Sequence, residues 1–446
     1  MTDYDSMQNL QGLERVGIPQ ELISGDRPAS IEAKKYIHIA PAENRTNAPG
    51  STVRFSLPCQ PNTYLMPNVQ FRFKLATDVD CNVDYSGSAL ISRLRIYHGS
   101  QLLEDCQSYN RLRQIITDVT QSPVNSGTIS NLLEGTPDYR LNEANKILPK
   151  INPVEITTAA GRDFNITLCS GIIGSMASRA CPCHAMTAAP LRCELDLATS
   201  NTALLVAVAA DGGDIVPATY SITNTELHAT YVQVSSNAQA LIDQAVGGQY
   251  MLNTYMYTHA QQNIIGTEAN AAILLPFSYS SLKHVISGLY KQNPDQNNLN
   301  VSSRSRCNVQ EVFWTIGASR VPSKPLQSGR EIMSETCKVY GVSTDLLQIC
   351  NHIDRTNTLV HTGAVVGANS VVGERGTFAM GLDCEAFGAT SSASRIENGI
   401  NTTALQMYLN FKAGTGQTFA QNSEVHSFGC YDVLISCQNG QAYARF

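Results

Sequence analysis

The sequence predicts an all-β chain built as two tandem copies of one eight-stranded unit, and three observations predict it. Residues 309–341, VQEVFWTIGASRVPSKPLQSGREIMSETCKVYG, run from a strand through a proline-marked turn into a capped helix. Residues 89–119, ALISRLRIYHGSQLLEDCQSYNRLRQIITDV, repeat that grammar in the first half of the chain. The 446 residues are only 15% charged and carry Asn, Ser, Thr and Gly throughout, a mixture that favours short strands joined by many turns over long helices.

In the later stretch Val312, Trp314 and Ile316 alternate with Phe313, Thr315 and Gly317. Both sides of the pleat thus carry large or β-branched groups, as in a core strand covered on two faces. Pro322 and Pro325 lack the N–H that a ladder needs, which predicts that the strand stops near Ser319. Ser328 and Glu331 have capping-box spacing, Met333, Cys337 and Tyr340 share one helical face, and Gly341 stands where a left-handed residue commonly ends a helix. A helix of about three turns is expected there. In the earlier stretch Leu90, Leu94 and Ile96 alternate with Arg93, Arg95 and Tyr97, the chain turns at His98-Gly99, and Tyr109, Leu112, Ile116 and Val119 line a helix. Downstream, residues 190–198 match 404–411 in character, and 221–234 match 424–437.

Residues 1–33 read as a polar arm, its weak amphipathic turn at Met7, Leu10 and Leu13 broken by Gly17 and Pro19. The first unit, 34–235, opens with strands near Tyr36 and Ser51 and continues at Val69, Phe71 and Phe73, whose alternation with Gln70, Arg72 and Lys74 leaves one face dry. Residues 121–161 form a surface excursion, 164–173 the next strand, 174–189 a small-residue loop and 200–218 an Ala/Gly-rich insertion. A linker helix at 236–249 ends on Gly247-Gly248. The second unit, 250–446, supplies strands around 255–257, 271–277, 282–290, 378–387, 405–411 and 431–436. Residues 293–307 read as an exposed polar loop, 342–347 as further helix, and 351–376 and 388–403 as surface segments. Each half offers about eight strands, with the helix after the fourth.

A net charge of −6 gives no reason to expect wholesale phosphate binding. The arm reinforces this, with Asp3, Asp5, Glu14, Glu21, Asp26 and Glu32 against Arg15 and Arg27. No sequence-specific nucleic acid is expected as a partner. The first residues lack the basic and apolar regions of a signal peptide, and the longest apolar run, 203–210, is far short of the roughly 20 residues of a membrane span. These features predict a protein of the cytosol or nucleus, in which the 13 cysteines act mainly as small buried hydrophobes.

No catalytic constellation emerges. Cys181, Cys183 and His184, with Cys193 nearby, offer ligands that zinc prefers, but one intervening residue strains two ligands of a tetrahedron and no second pair follows, so a structural loop without metal is expected. Glu331 is explained by the cap and Glu335 by its neighbour Lys338, and His352 and His361 have no partnered nucleophile motif. The sequons at Asn44, Asn165, Asn300 and Asn401 read as idle in a chain without a secretory signal. No catalytic, cofactor-binding or metal residues, and no cofactor, are assigned.

Two tandem eight-stranded units, each with an inserted helix, point to two jelly rolls in one chain. The run Phe313-Trp314-Thr315-Ile316-Gly317, the spaced Pro322 and Pro325, the segment ETCKVYG from Glu335 and the segment RLRIYHGSQLLEDCQSY from Arg93 resemble the double jelly-roll major capsid proteins of tailless icosahedral DNA viruses, in particular small members such as those of virophages and polinton-like elements. The resemblance spans about residues 34–446. It implies a structural virion protein, not an enzyme: a homotrimer of pseudo-hexagonal outline that tiles an icosahedral shell. The partners it implies are neighbouring trimers, minor capsid or penton proteins, and an internal membrane or the genome beneath. It also implies a place in the virion capsid after assembly in the host cytoplasm or nucleus. The alternative is a cytosolic jelly-roll carbohydrate-binding or carbohydrate-active protein, which needs a concave face of acids and aromatics. Against it, the single Trp lies in a core strand and no paired carboxylates occur.

Overall fold

The computed structural model describes residues 33–120, 125–136, 156–177, 179–206, 217–296, 299–339, 364–365, 371–372, 376–385, 399–419 and 422–445. Its first roll is built from β1 (Ala33–Pro41), β2 (Thr52–Leu57), β3 (Gln70–Thr77), β4 (Ile91–His98), β5 (Gln101–Gln107), β6 (Arg162–Thr167), β7 (Leu191–Leu197) and β8 (Tyr220–Val234). These form two antiparallel sheets, β1-β8-β3-β6 and β2-β7-β4-β5. The second roll comprises β9 (Tyr250–Ile264), β10 (Asn270–Leu275), β11 (Leu282–Lys291), β12 (Val309–Ile316), β13 (Ser319–Leu326), β14 (Met380–Asp383), β15 (Met407–Ala413) and β16 (Ser423–Gln438). Its sheets, β9-β16-β11-β14 and β10-β15-β12-β13, repeat the first order strand for strand. Successive strands alternate between the two sheets except at one hairpin in each roll, which is jelly-roll connectivity.

Local sequence accounts for much of this. In β3, Phe71, Phe73 and Leu75 point inward and are buried, while Gln70, Arg72 and Lys74 face out. The hairpins β4–β5 and β12–β13 each turn through two residues, with Gly99 (φ 59°) and Gly317 (φ 58°) in the left-handed conformation that glycine adopts without a Cβ clash. Helix α1 (Tyr109–Thr120) follows β5, α2 (Ser236–Val246) joins the rolls, and α3 (Gly329–Lys338) follows β13. Ser328 Oγ accepts from Glu331 N at 3.2 Å, and Glu331 Oε2 accepts from Gln327 N at 2.7 Å, so the expected cap forms. Ser235 caps α2, and Gly247 ends it at φ 73°.

Five expectations are corrected. Each inserted helix follows the fifth strand, because residues 101–107 and 319–326 are strands that close the hairpins. Pro322 and Pro325 lie inside β13, which tolerates them because it is the edge of its sheet and a missing N–H can face away from the ladder. In β12 one face is dry: Val312, Trp314 and Ile316 are buried, whereas Phe313 lies half-exposed beneath the Arg320 guanidinium, 4.8 Å from the ring centroid. Within 293–307, read as an exposed loop, residues 299–305 are buried, with Arg304 and Ser302 at 0% exposure. The strand expected through residue 173 ends at Thr167, where Ser170 Oγ takes the N–H groups of Ile172 and Ile173. Tyr340, Gly341, residues 1–32 and 342–347, and most of 121–161, 351–376 and 388–398 lie outside the described residues.

The apolar interior falls into two clusters. One, around Trp314, Leu409, Phe411, Val285 and Leu289, is the core of the second roll. The other holds the first roll's core together with Met256, Ile286, Phe428 and Val433 from the second. The rolls therefore share buried apolar surface, which ties their relative placement to the hydrophobic term itself.

Candidate functional site: the seam between the two rolls

β11 and β16 are buried on both faces. One face lies on the second roll's own core, and the first roll covers the other. At that seam α1 supplies Arg111, whose guanidinium stands 5.0 Å from the Tyr290 ring and 3.9 Å from Glu424. Burial lowers the Arg111 pKa, against the pull of Tyr290 and Glu424. His426 receives a hydrogen bond from or donates one to His259 at 2.9 Å, and its other nitrogen lies 3.2 Å from Glu424. Burial first, and then the Arg111 charge, push His259 down to about 4 and His426 well below its ordinary value.

A second group uses the segment that reads as solvent-loving. Asp84, between β3 and β4, accepts from the backbone N–H groups of Asn300 and Val301 at 2.6 Å, from Ser302 N at 3.3 Å and from Ser302 Oγ. Burial raises the Asp84 pKa and these bonds oppose the rise. Gln296 clamps Ala218, accepting from its N–H at 2.7 Å and donating to its carbonyl at 2.6 Å. Arg304 donates to Asp118 of α1, to Phe378 O at 3.0 Å and to Thr377 O at 3.3 Å. Asp118 also accepts from Gln114 at 2.9 Å.

The third group lies under β5. Glu104 accepts from Gly171 N at 3.0 Å and from Ser170 Oγ, and burial pushes its carboxyl up to about 7. Gly171 O in turn accepts from Thr254 Oγ1 of β9 at 2.6 Å. A Cβ on Gly171 would fall 2.4 Å from Tyr255 O, so only glycine permits this backbone approach. The seam is thus a polar network set in apolar contact, and such networks fix one arrangement because each alternative strands a buried group.

The residues weighed from the sequence lie elsewhere. Cys181 bridges its backbone to Leu65, Cys183 hydrogen-bonds the Cys59 thiol, and burial contributes to raising both the Cys59 and Cys183 pKa values. His184 lies between the rings of Tyr64 and Tyr250, 4.6 and 4.4 Å away, with Asp243 at 3.8 Å. Cys193 is within β7. Among the described residues no group of three or more His, Cys, Asp or Glu is arranged to hold a metal. The described cysteines are free, and all but Cys59 and Cys337 are buried. Glu335 pairs with Lys338 at 2.6 Å. His352 and His361 lie outside the described residues. Asn300 is buried, Asn165 bonds Gln70 within the first roll, the Asn44 carbonyl accepts from Asn47, and Asn401 accepts from Thr403. No helix among the described residues is long and apolar enough to cross a membrane.

The sheet order, repeated strand for strand, decides the fold. The chain has the double jelly-roll fold of viral capsid proteins. It is similar to VP54 of PBCV-1, from a crystal structure fitted into a reconstruction of the virophage Sputnik: TM-score 0.60 at 10% identity, covering 95% of this chain and 99% of that one. The mavirus major capsid protein matches at TM-score 0.56 and 11% identity, over 96% of this chain and 94% of its own. The Faustovirus major capsid protein matches at 0.56 and 9%, over 94% and 93%. No family model and no curated protein matches the chain. At such identities the likeness is one of fold.

Proposed function

We propose that the chain is a major capsid protein whose homotrimers, six upright rolls in a pseudo-hexagonal outline, tile an icosahedral virus shell. The observation that carries this reading is the seam. Six similar blocks can close around a three-fold axis only if the two blocks in each copy keep one fixed relation, and Arg304–Asp118, the Asp84 bonds to 300–302 and the Thr254–Gly171 bond hold that relation. The whole-length fold match to capsid proteins supports it, since the match leaves little of the described chain for another task.

The reading divides the chain into an arm at 1–33, a first roll at 34–235, a linker helix at 236–249 and a second roll at 250–446. The role is structural, without catalysis, metal or cofactor, and the place is the virion capsid after assembly in the host cell. Neighbouring trimers, minor capsid or penton proteins and an internal membrane or the genome are the partners. Deleting residues 1–32 is expected to spare the fold and lower shell yield. The sugar-binding alternative draws no support from Trp314, which is fully buried in β12. Sedimentation velocity tests the reading: the 48.3 kDa chain should run at three times its mass or in shells at micromolar concentration, and a stable monomer would overturn it.

A further inference from the structure

β11 opens with a bulge. Leu282 pairs with Tyr431 and His284 with Cys430, so Lys283 is the extra residue between two successive pairs of the ladder. A bulge leaves its residue outside the ladder and re-aims its side chain. Here it turns a lysine into the protein: the Lys283, Asp432 and Glu385 side chains are 9%, 5% and 3% exposed. Asp432 lies on β16, which flanks β11 on one side, and Glu385 follows β14, which flanks it on the other. The Lys283 amine reaches both carboxylates, 2.6 Å from Glu385 Oε1 and 3.7 Å from Asp432 Oδ1, with the Tyr255 ring centroid 5.9 Å away.

The two carboxylates are held differently. Ser281 Oγ donates to Asp432 Oδ2 at 2.6 Å and itself accepts from Gly399 N at 3.1 Å, while Asp432 N donates to Ser281 O at 3.0 Å. The hydroxyl thus polarises one oxygen of Asp432, and the other lies toward the amine. Glu385 is fixed through its backbone, whose N–H donates to Asp383 Oδ1 at 3.0 Å, and its carboxylate takes the short bond from the ammonium. Burial, the largest influence on Lys283, lowers its pKa, but Glu385 and Asp432 raise it on balance, so the amine gives up its proton only to a group in contact with it. A lysine with two carboxylates in reach has one to carry its protons and one to accept a bond from its nitrogen.

We propose that Lys283 and Asp432 join in an amide bond that the chain forms on itself, with Glu385 as the proton carrier. Glu385 moves one proton from the ammonium to Asp432 Oδ1, and the freed nitrogen lone pair attacks Cγ. Charge gathers on Oδ2, where the Ser281 hydroxyl donates. Glu385 then carries a second proton from the nitrogen to Oδ1, the Cγ–Oδ1 bond breaks, and water leaves as the carbonyl re-forms at Oδ2. Ammonium and carboxylate become amide and water, and Glu385 returns to its starting state. Fixed proximity in a site closed to water drives the step, which also removes two buried charges. The bond staples the two strands that carry Tyr290 and His426 to the seam.

Intact-mass measurement on the denatured full-length chain, after prolonged incubation of the folded protein, tests the bond. The native chain should be lighter than its sequence by one water, and its tryptic digest should contain a branched peptide joining Lys283 to Asp432. Lys283→Arg, Asp432→Ala and Glu385→Gln should each keep the full mass, Glu385→Gln with an unchanged circular dichroism spectrum. A native chain of full mass overturns the proposal, as does a branch from Lys283 to Glu385 or loss of water in Glu385→Gln. Should the variants misfold, the mass and the branched peptide of the native chain decide alone. The bond lies within one chain, so its failure leaves the trimer reading untouched.

Discussion

Arg304→Met removes the cation at the centre of the seam. The guanidinium is fully buried, and Asp118, Thr377 O and Phe378 O all lie within 3.3 Å of it. After the substitution Asp118 keeps its bond from Gln114 but its carboxylate stays buried without the cation, a loss worth about 3–5 kcal/mol. Asp118→Asn strands the opposite charge and should cost a similar amount. If the pair acts as a unit, the double variant costs much less than the sum, with a coupling of about 2–3 kcal/mol. For units of this size the single variants should lower Tm by on the order of 10 °C. Chemical denaturation of the four proteins measures the cycle. Effects that add to within about 0.5 kcal/mol would show that the ion pair does not hold the rolls together.

Four further outcomes are expected. His259 has its pKa depressed from 6.5 to about 4, so the unfolded chain binds the extra proton first and stability is lost as pH falls from 6.5 toward 4; His259→Phe should remove at most about 3 kcal/mol of that loss in acid denaturation curves. Glu104 has the opposite sign: with its carboxyl raised to about 7, stability falls as pH rises from 4.5 through 7, so Glu104→Gln should gain on the native chain above pH 7 and lose that advantage near pH 4.5. Gly171→Ala, whose Cβ meets backbone at 2.4 Å, should yield mostly insoluble protein, whereas Gly416→Ala, with open space around it but a left-handed φ of 73°, should stay soluble. Elemental analysis of the native protein should find no stoichiometric zinc; one equivalent lost on Cys183→Ser would contradict the thiol packing around Cys59.

Elements whose pattern is local were legible before any coordinates. The one-sided alternation of β3, the Ser328–Glu331 cap and the glycine stop of α2 are each written within a few residues. The proline-bearing β13 was not, because a proline's cost depends on whether its strand is an edge, and strand order is a long-range property. The seam was the least legible part. Asp84, Asp118 and Arg304 are far apart in sequence, and a run such as Ser302-Ser303-Arg304-Ser305 has the composition of a solvent loop. It is buried because a distant Asp84 and the Phe378 carbonyl satisfy its donors. Pairing of that kind leaves no periodic mark, though a polar run beside the strongly apolar β11 was a place to look.

Negative-stain imaging of the purified full-length chain tests the central claim most directly. Particles averaged along their short axis should show six lobes in a hexagonal outline with three-fold symmetry, the two lobes of each copy joined through the Arg304–Asp118 seam. Uniform two-lobed particles at concentrations well above micromolar would contradict it.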